Sequence, residues 1–209
     1  MTTQVTGSYS FIVSAPKFLE AIESAKNEGK QDDVDNGTFN AQDSNWFGAF
    51  VHSCSVEEYQ RMTPILFDEG KAGFALKNGD IVSVFKHPKS NLSRALDAII
   101  PLAIQLGGNR LDCFSRGLPA MYAKFGFSPV AKIQFDPECA PRDWNYARDG
   151  QPEIVFMVYK KTIIDRTQEE ARTRIQRVQA EISQLNYSTY DEALRVQGIS
   201  CELYSKRAS

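Results

Sequence analysis

Asn78-Gly79 separates two runs of strand-forming residues, Ala72–Lys77 and Asp80–Lys86. Both turn residues tolerate positive φ, as a two-residue hairpin turn requires, so this dipeptide predicts a tight antiparallel hairpin at mid-chain. The second strand carries Ile81-Val82-Ser83-Val84-Phe85 and runs into a polar turn, Lys86-His87-Pro88-Lys89-Ser90-Asn91. Leu92, Ala95, Leu96, Ile99, Ala103 and Leu106 then recur at helical spacing up to Gly107-Gly108, with Pro101 expected to kink the helix. A strand at Arg110–Phe114, a short helix at Leu118–Phe125 closed by Gly126, and strands at Pro129–Phe135 and Glu153–Lys160 complete an α/β unit.

The flanking segments extend this unit on both sides. Tyr9–Ser14 alternates as a strand does, and Pro16 suits the first turn of a helix that presents Phe18, Leu19, Ile22 and Ala25 on one face. The helix is expected to run out at Gly29, leaving residues 29–45 as a polar surface loop. Asp32, Asp33 and Asp35 in that loop resemble half of a calcium loop but lack its closing glutamate, so a solvated loop is expected. Trp46, Phe47 and Phe50 are expected to pack back on the body. Ser55, with Glu58 three residues on, forms a capping box for a short helix reaching Met62.

Beyond residue 160, Ile164, Ala171, Ile175, Val178, Ile182 and Leu185 follow a 3.5-residue period. Two placements fit that pattern: a helix docked on its own domain, or the seam of a homodimer through the C-terminal helix. Tyr187, Tyr190, Leu194 and Val196 could add a second helix as an apolar partner for the first. The chain thus divides into a domain at 1–160 and a C-terminal helical extension at 161–209.

Charge and cysteine usage narrow the functional classes. With 24 basic and 26 acidic side chains the net charge is −2, so no bulk attraction to nucleic acid or an anionic membrane is expected. No apolar run approaches the roughly 20 residues of a spanning helix, and the first ten residues lack the basic start and apolar stretch of a secretion signal. A cytoplasmic protein is expected. Cys54, Cys113, Cys139 and Cys201 lie far apart and only His52 and His87 accompany them, so no metal site is expected and the thiols are read as structural.

The order hairpin, helix, strand, helix, strand, strand resembles the GCN5-related N-acetyltransferase (GNAT) superfamily over roughly residues 8–160. The strand Ile81–Phe85 leads into a polar turn and a long helix, as that family's acyl-CoA-binding segment does. Tyr122-Ala123-Lys124-Phe125-Gly126-Phe127 looks like the family's Tyr-x-x-x-Gly-Phe ending. The stretch Asp136–Met157, with Trp144-Asn145-Tyr146 and Gly150-Gln151-Pro152-Glu153, is similar to a GNAT-like group met in bacteriophage and mobile-element proteins. The resemblance implies a mixed, mostly antiparallel sheet with helices on both faces.

It also implies an acyl-CoA-dependent N-acyltransferase, with acetyl-CoA or another acyl-CoA as cosubstrate and a small-molecule or protein amine as acceptor. In that family a backbone amide at the position of Val84–Phe85 polarises the thioester carbonyl, and a tyrosine at the position of Tyr122 protonates the departing thiolate. The family's pyrophosphate loop is glycine-rich, because glycine lets backbone amides at a helix start approach the anion. The corresponding turn here, Lys86–Arg94, has no glycine. It offers Lys86, Lys89 and Arg94 as cations and Ser90, Asn91 and Ser93 as polar donors. It reads equally as a solvated basic turn in which Ser90 or Asn91 caps the helix.

Asp68, Glu69 and Asp112 are candidate general bases, and His87 a phosphate contact. Trp144, Asn145 and Tyr146 are candidates for the acceptor pocket, or anchors for their own loop. Two other function classes remain beside the enzyme: a catalytically inactive GNAT-like module binding a partner protein, and, by analogy of fold alone, a nucleic-acid-modifying relative.

Overall fold

The computed structural model describes residues 2–5, 8–35, 51, 53–140, 144, 146–160 and 169–207. The chain is α/β with a mostly antiparallel sheet, and it forms two compact units, inside each of which the strand pairs are antiparallel. One unit comprises Met1–Leu106 with Ala140–Gly150, the other Gly107–Cys139 with Gln151–Ser209.

The first unit is a five-stranded meander: β1 (Thr2–Val5), β2 (Ser8–Ile12), β3 (Thr63–Phe67), β4 (Ala72–Lys77) and β5 (Asp80–Lys86). The hairpin forms where Asn78-Gly79 predicts it, with φ of 52° and 85° at the two turn residues and Lys77 opposite Asp80. Helix α1 (Ala15–Asp35) lays Phe18, Ile22 and Ala25 on the sheet against Leu66, Ala75 and Phe85. Each of the large side chains here, Phe18, Ile22, Leu66 and Phe85, contributes about 1.5–3 kcal/mol of transfer free energy. Ile65, Phe67 and Phe74, on the opposite face, are buried as well, and α3 (Ala95–Gln105) lies along β4.

Several helix boundaries differ from expectation: the helix opened by Ser55 ends at Tyr59 rather than Met62, and the one from Leu118 ends at Ala123 rather than Phe125. Gly29 does not end α1, which continues to Asp35. A helical glycine costs only about 1 kcal/mol, and the lysine and glutamine that follow sustain the helix. The acidic trio Asp32, Asp33 and Asp35 is therefore helical backbone rather than loop. Helix α3 starts at Ala95, not at Leu92, because Ser90 and Asn91 bond elsewhere. Helix α2 (Val56–Tyr59) carries the capping box complete: Glu58 N–H donates to Ser55 Oγ at 3.2 Å, and Ser55 N–H to Glu58 Oε2 at 2.8 Å. Trp46, Phe47, Phe50, His52, Asn145 and Ile164 lie outside the described residues.

The second unit is built on three strands, β6 (Arg110–Phe114), β7 (Phe127–Ile133) and β8 (Ile154–Tyr159), with β8 in the middle. Val155, Phe156, Met157 and Val158 are all fully buried, so both faces of β8 are covered. Helix α4 (Leu118–Ala123) and helix α6 (Ala171–Ser183) pack with each other and on β7. Helix α7 (Tyr190–Arg207) covers the other face, where Ala193 and Val196 meet Ala131, Ile133 and Phe156. The tail thus packs as part of this unit. Among the described residues of the 3.5-residue pattern, Val178 and Ile182 are buried, whereas Ile175 is exposed. α7 packs on β7 and β8, so the second helix serves the strands.

Candidate functional site

Strand β5 is irregular at the residues proposed to meet an acyl group. Gly73 pairs with Phe85 and Ala75 with Val82, so Ser83 and Val84 together oppose Phe74. This is a β-bulge, which leaves one residue outside the ladder and increases the local twist. Ser83 takes φ of 51°, a conformation that serine rarely adopts without a compensating contact. The contact comes from α2: the Tyr59 hydroxyl lies 2.8 Å from Ser83 Oγ and also accepts the Cys54 N–H at 3.2 Å. Tyr59 is fully buried, edge-on to Phe18 at 5.0 Å, and burial pushes its phenol up to about 12.

Gly73 lets Phe85 approach. A Cβ there would lie 2.6 Å from the Ile65 carbonyl oxygen and 2.9 Å from the Phe85 ring. Phe85 itself is a core residue 5.7 Å from Phe18, while Val84 and Lys86 are half-buried.

The turn after β5 is held from two sides by carboxylates. Asp68, Glu69 and Gly70 form a left-handed turn between β3 and β4, with φ of 48°, 57° and 96°. It aims the Asp68 carboxylate at the turn, where Oδ2 accepts Ser90 Oγ–H and Asn91 N–H, both at 2.7 Å. Burial pushes the Asp68 carboxyl up, but these donors and the Lys71 charge outweigh it and the carboxyl is held low. His87 is buried; its N–H donates to the Lys71 carbonyl at 2.6 Å and its Nδ1 accepts the Lys89 N–H at 3.0 Å. The ring proton therefore resides on Nε2, 3.5 Å from Glu28 Oε1. Lys89 forms an ion pair with the other oxygen of Glu28.

Of the expected phosphate contacts, then, Lys89, Ser90 and Asn91 are brought together, and each already serves an internal carboxylate. Ser93 and Arg94 are exposed; Arg94 occupies the N-cap of α3 without a side-chain cap bond. Glu69, a candidate base, is exposed in the left-handed turn.

In the second unit, Tyr122 is buried on α4, 6.3 Å from the Phe127 ring, and burial pushes its phenol well above the ordinary tyrosine value. Cys113 is buried beside Met157, with its thiol likewise pushed well up by burial, so it is an unreactive thiol. Asp112 keeps exposed surface, yet the protein around it strips enough solvent to push its carboxyl up. In the loop expected to meet the acceptor, Trp144 is buried and its indole N–H donates to the Gly150 carbonyl at 2.9 Å. Trp144 thereby anchors its own loop, whereas Tyr146 opens the short helix α5 (Tyr146–Asp149) and is exposed.

Two residues central to this arrangement, Glu28 and Tyr59, were not among the sequence candidates. Glu28 follows Phe18, Ile22 and Ala25 at the next step of the apolar stripe, and an acid in that place is a readable sign of a partner on the sheet side. Tyr59, a polar-tipped aromatic in a four-residue helix, carries no comparable sign.

Among the described residues no group of three or more His, Cys, Asp or Glu side chains could hold a metal ion, and no helix is long and apolar enough to cross a membrane. No protein-family model matches this chain, and no curated protein matches it either.

Proposed function

We propose that the chain is an acyl-CoA-dependent N-acyltransferase that uses acetyl-CoA or another acyl-CoA and acts on a small-molecule or protein amine. The observation that carries this reading is the β5 bulge. It takes Ser83 and Val84 out of regular pairing immediately before a donor-rich turn and a helix start. A main-chain N–H at such a place is a preorganised donor for a thioester carbonyl, with little reorganisation on reaction. In the reaction the amine nitrogen attacks the carbonyl carbon and the oxyanion is held by the Val84–Phe85 backbone. The C–S bond then breaks, the amine proton passes to a base or water, and the thiolate takes a proton from an acid for which Tyr122 is the candidate.

The second reading, a module that binds a partner protein without catalysis, is favoured by the carboxylates on the turn. Glu28 and Asp68 already engage Lys89, Ser90 and Asn91, the groups a CoA pyrophosphate would need. Titration calorimetry with acetyl-CoA separates the two. Binding in the micromolar range is expected of the enzyme, and the absence of heat at millimolar ligand would move the assignment to the module.

A further inference from the structure

We propose that Glu28 is the built-in occupant of an anion site on the turn His87–Asn91, and that a phosphate- or pyrophosphate-bearing ligand enters by displacing it. The inference rests on the acyl-CoA reading for the ligand's identity, whereas the competition itself stands on the geometry of the turn.

Two polar groups of one turn face a single carboxylate: Lys89 Nζ pairs with one of its oxygens and His87 Nε2 lies 3.5 Å from the other. That is how a protein holds a small oxyanion, with charge-assisted donors spread over its oxygens. The turn does not depend on Glu28 for its shape. Its backbone is fixed by the His87 N–H on the Lys71 carbonyl at 2.6 Å, by the Ser90 N–H on the His87 carbonyl at 3.0 Å, and by Asp68.

Asp68 and Glu28 therefore have different standing. Asp68 is a short side chain on a left-handed turn with two bonds of 2.7 Å, one of them to the backbone, and it is part of the frame. Glu28 reaches in from α1 on a longer, rotatable side chain that is 39% exposed, so it can swing into water. Its cation is more open still, with the Lys89 side chain 66% exposed. The Glu28 carboxyl is held below its ordinary value, first by the Lys89 hydrogen bond, so it competes as a full negative charge at neutral pH.

A pyrophosphate group carries more charge than one carboxylate. Lys86 and Arg94 flank the turn, and among the described residues no ion pair engages either of them. An incoming polyanion thus gains cations that Glu28 does not use, which favours exchange over simple exclusion.

The test measures inorganic pyrophosphate binding by calorimetry to the unsubstituted protein, to Glu28→Gln and to Glu28→Gln/Lys89→Gln. Glu28→Gln should bind about three- to tenfold more tightly, the effect of removing one competing charge near the surface. The second substitution should abolish that gain. In the unsubstituted protein, the carboxyl carbon-13 resonance of Glu28 should move as pyrophosphate is added, a readout that needs no variant to fold. Equal or weaker binding by Glu28→Gln, a gain that survives loss of Lys89, or a silent Glu28 resonance would each overturn the proposal. Acetyl-CoA is titrated in parallel. Tighter pyrophosphate binding without acetyl-CoA binding would retain the displaced carboxylate and remove the acyltransferase reading. Acetyl-CoA binding that is indifferent to Glu28 would do the reverse.

Discussion

The hydroxyl of Tyr59 meets Ser83 Oγ at 2.8 Å, and this bond joins a buried helix residue to the one residue of β5 in the left-handed region. It explains how a serine is kept at φ of 51° inside a strand. Tyr59→Phe should destabilise the protein by about 1–3 kcal/mol, since it also strips the Cys54 N–H of its acceptor. Ser83→Gly should be close to neutral, because glycine takes positive φ without strain. In the Ser83→Gly background Tyr59→Phe should cost less than it does alone. Urea unfolding of the four proteins measures the coupling, and strictly additive costs would mean the phenol does not hold the bulge.

The same phenol predicts an alkaline instability. Below pH 10 it is protonated in both the folded and the unfolded chain and contributes no pH slope. Between about 10 and 12 the unfolded chain releases the proton while the folded chain keeps it, so stability falls as pH rises. The slope from one such proton is about 1.4 kcal/mol per pH unit. Buried Tyr122 shifts in the same direction, so the comparison must be between the unsubstituted protein and Tyr59→Phe, whose slope should be shallower by one proton. Equal slopes would place the Tyr59 hydroxyl in water.

Gly73→Ala should cost about 1–3 kcal/mol or more, because the new methyl meets backbone at 2.6 Å on one side and the Phe85 ring on the other. Since Phe85 belongs to the strand end proposed to bind acyl-CoA, acetyl-CoA affinity should fall as well. Thermal unfolding and calorimetry report the two effects. A variant as stable as the parent would show that Phe85 has room to move.

Tyr122→Phe keeps the ring that packs on Phe127 and removes only the hydroxyl. Under the proposed reaction, turnover should fall tenfold or more while acetyl-CoA affinity holds, the pattern of an interaction made only in the transition state. Turnover equal to that of the parent would assign Tyr122 to packing.

Removal of residues 161–209 should not yield a well-behaved core. α7 covers Phe156, Ala131 and Ile133, and α6 buries Val178 and Ile182 against the second unit. Gln197, fully enclosed, donates to the carbonyls of Leu111 and Met157 at 2.9 and 3.1 Å. The truncated chain should aggregate or lose cooperative unfolding, measured by size-exclusion chromatography with light scattering and by circular dichroism. A soluble, cooperatively folded truncation would show that the tail is an appendage.

Features written in neighbouring residues were legible without a structure. Asn78-Gly79 specifies its hairpin because the backbone freedom it needs belongs to those two residues, and Ser55 with Glu58 caps α2 because both bonds span three positions. The apolar stripe of Phe18, Ile22 and Ala25 declared the buried face of α1, since helical periodicity alone brings those side chains together. Gly29 misled because a local breaker costs less than the helix around it gains. What required the tertiary structure was every pairing made across the sheet. Tyr59 reaches Ser83 over 24 residues and Asp68 reaches Ser90 over 22, while Glu28 comes from another element to meet Lys89. A basic turn reads in sequence as available charge, and only the folded chain shows that charge in use. The reason is physical: a local conformation depends on adjacent backbone, whereas the charge state and occupancy of a site depend on which distant side chains packing delivers to it.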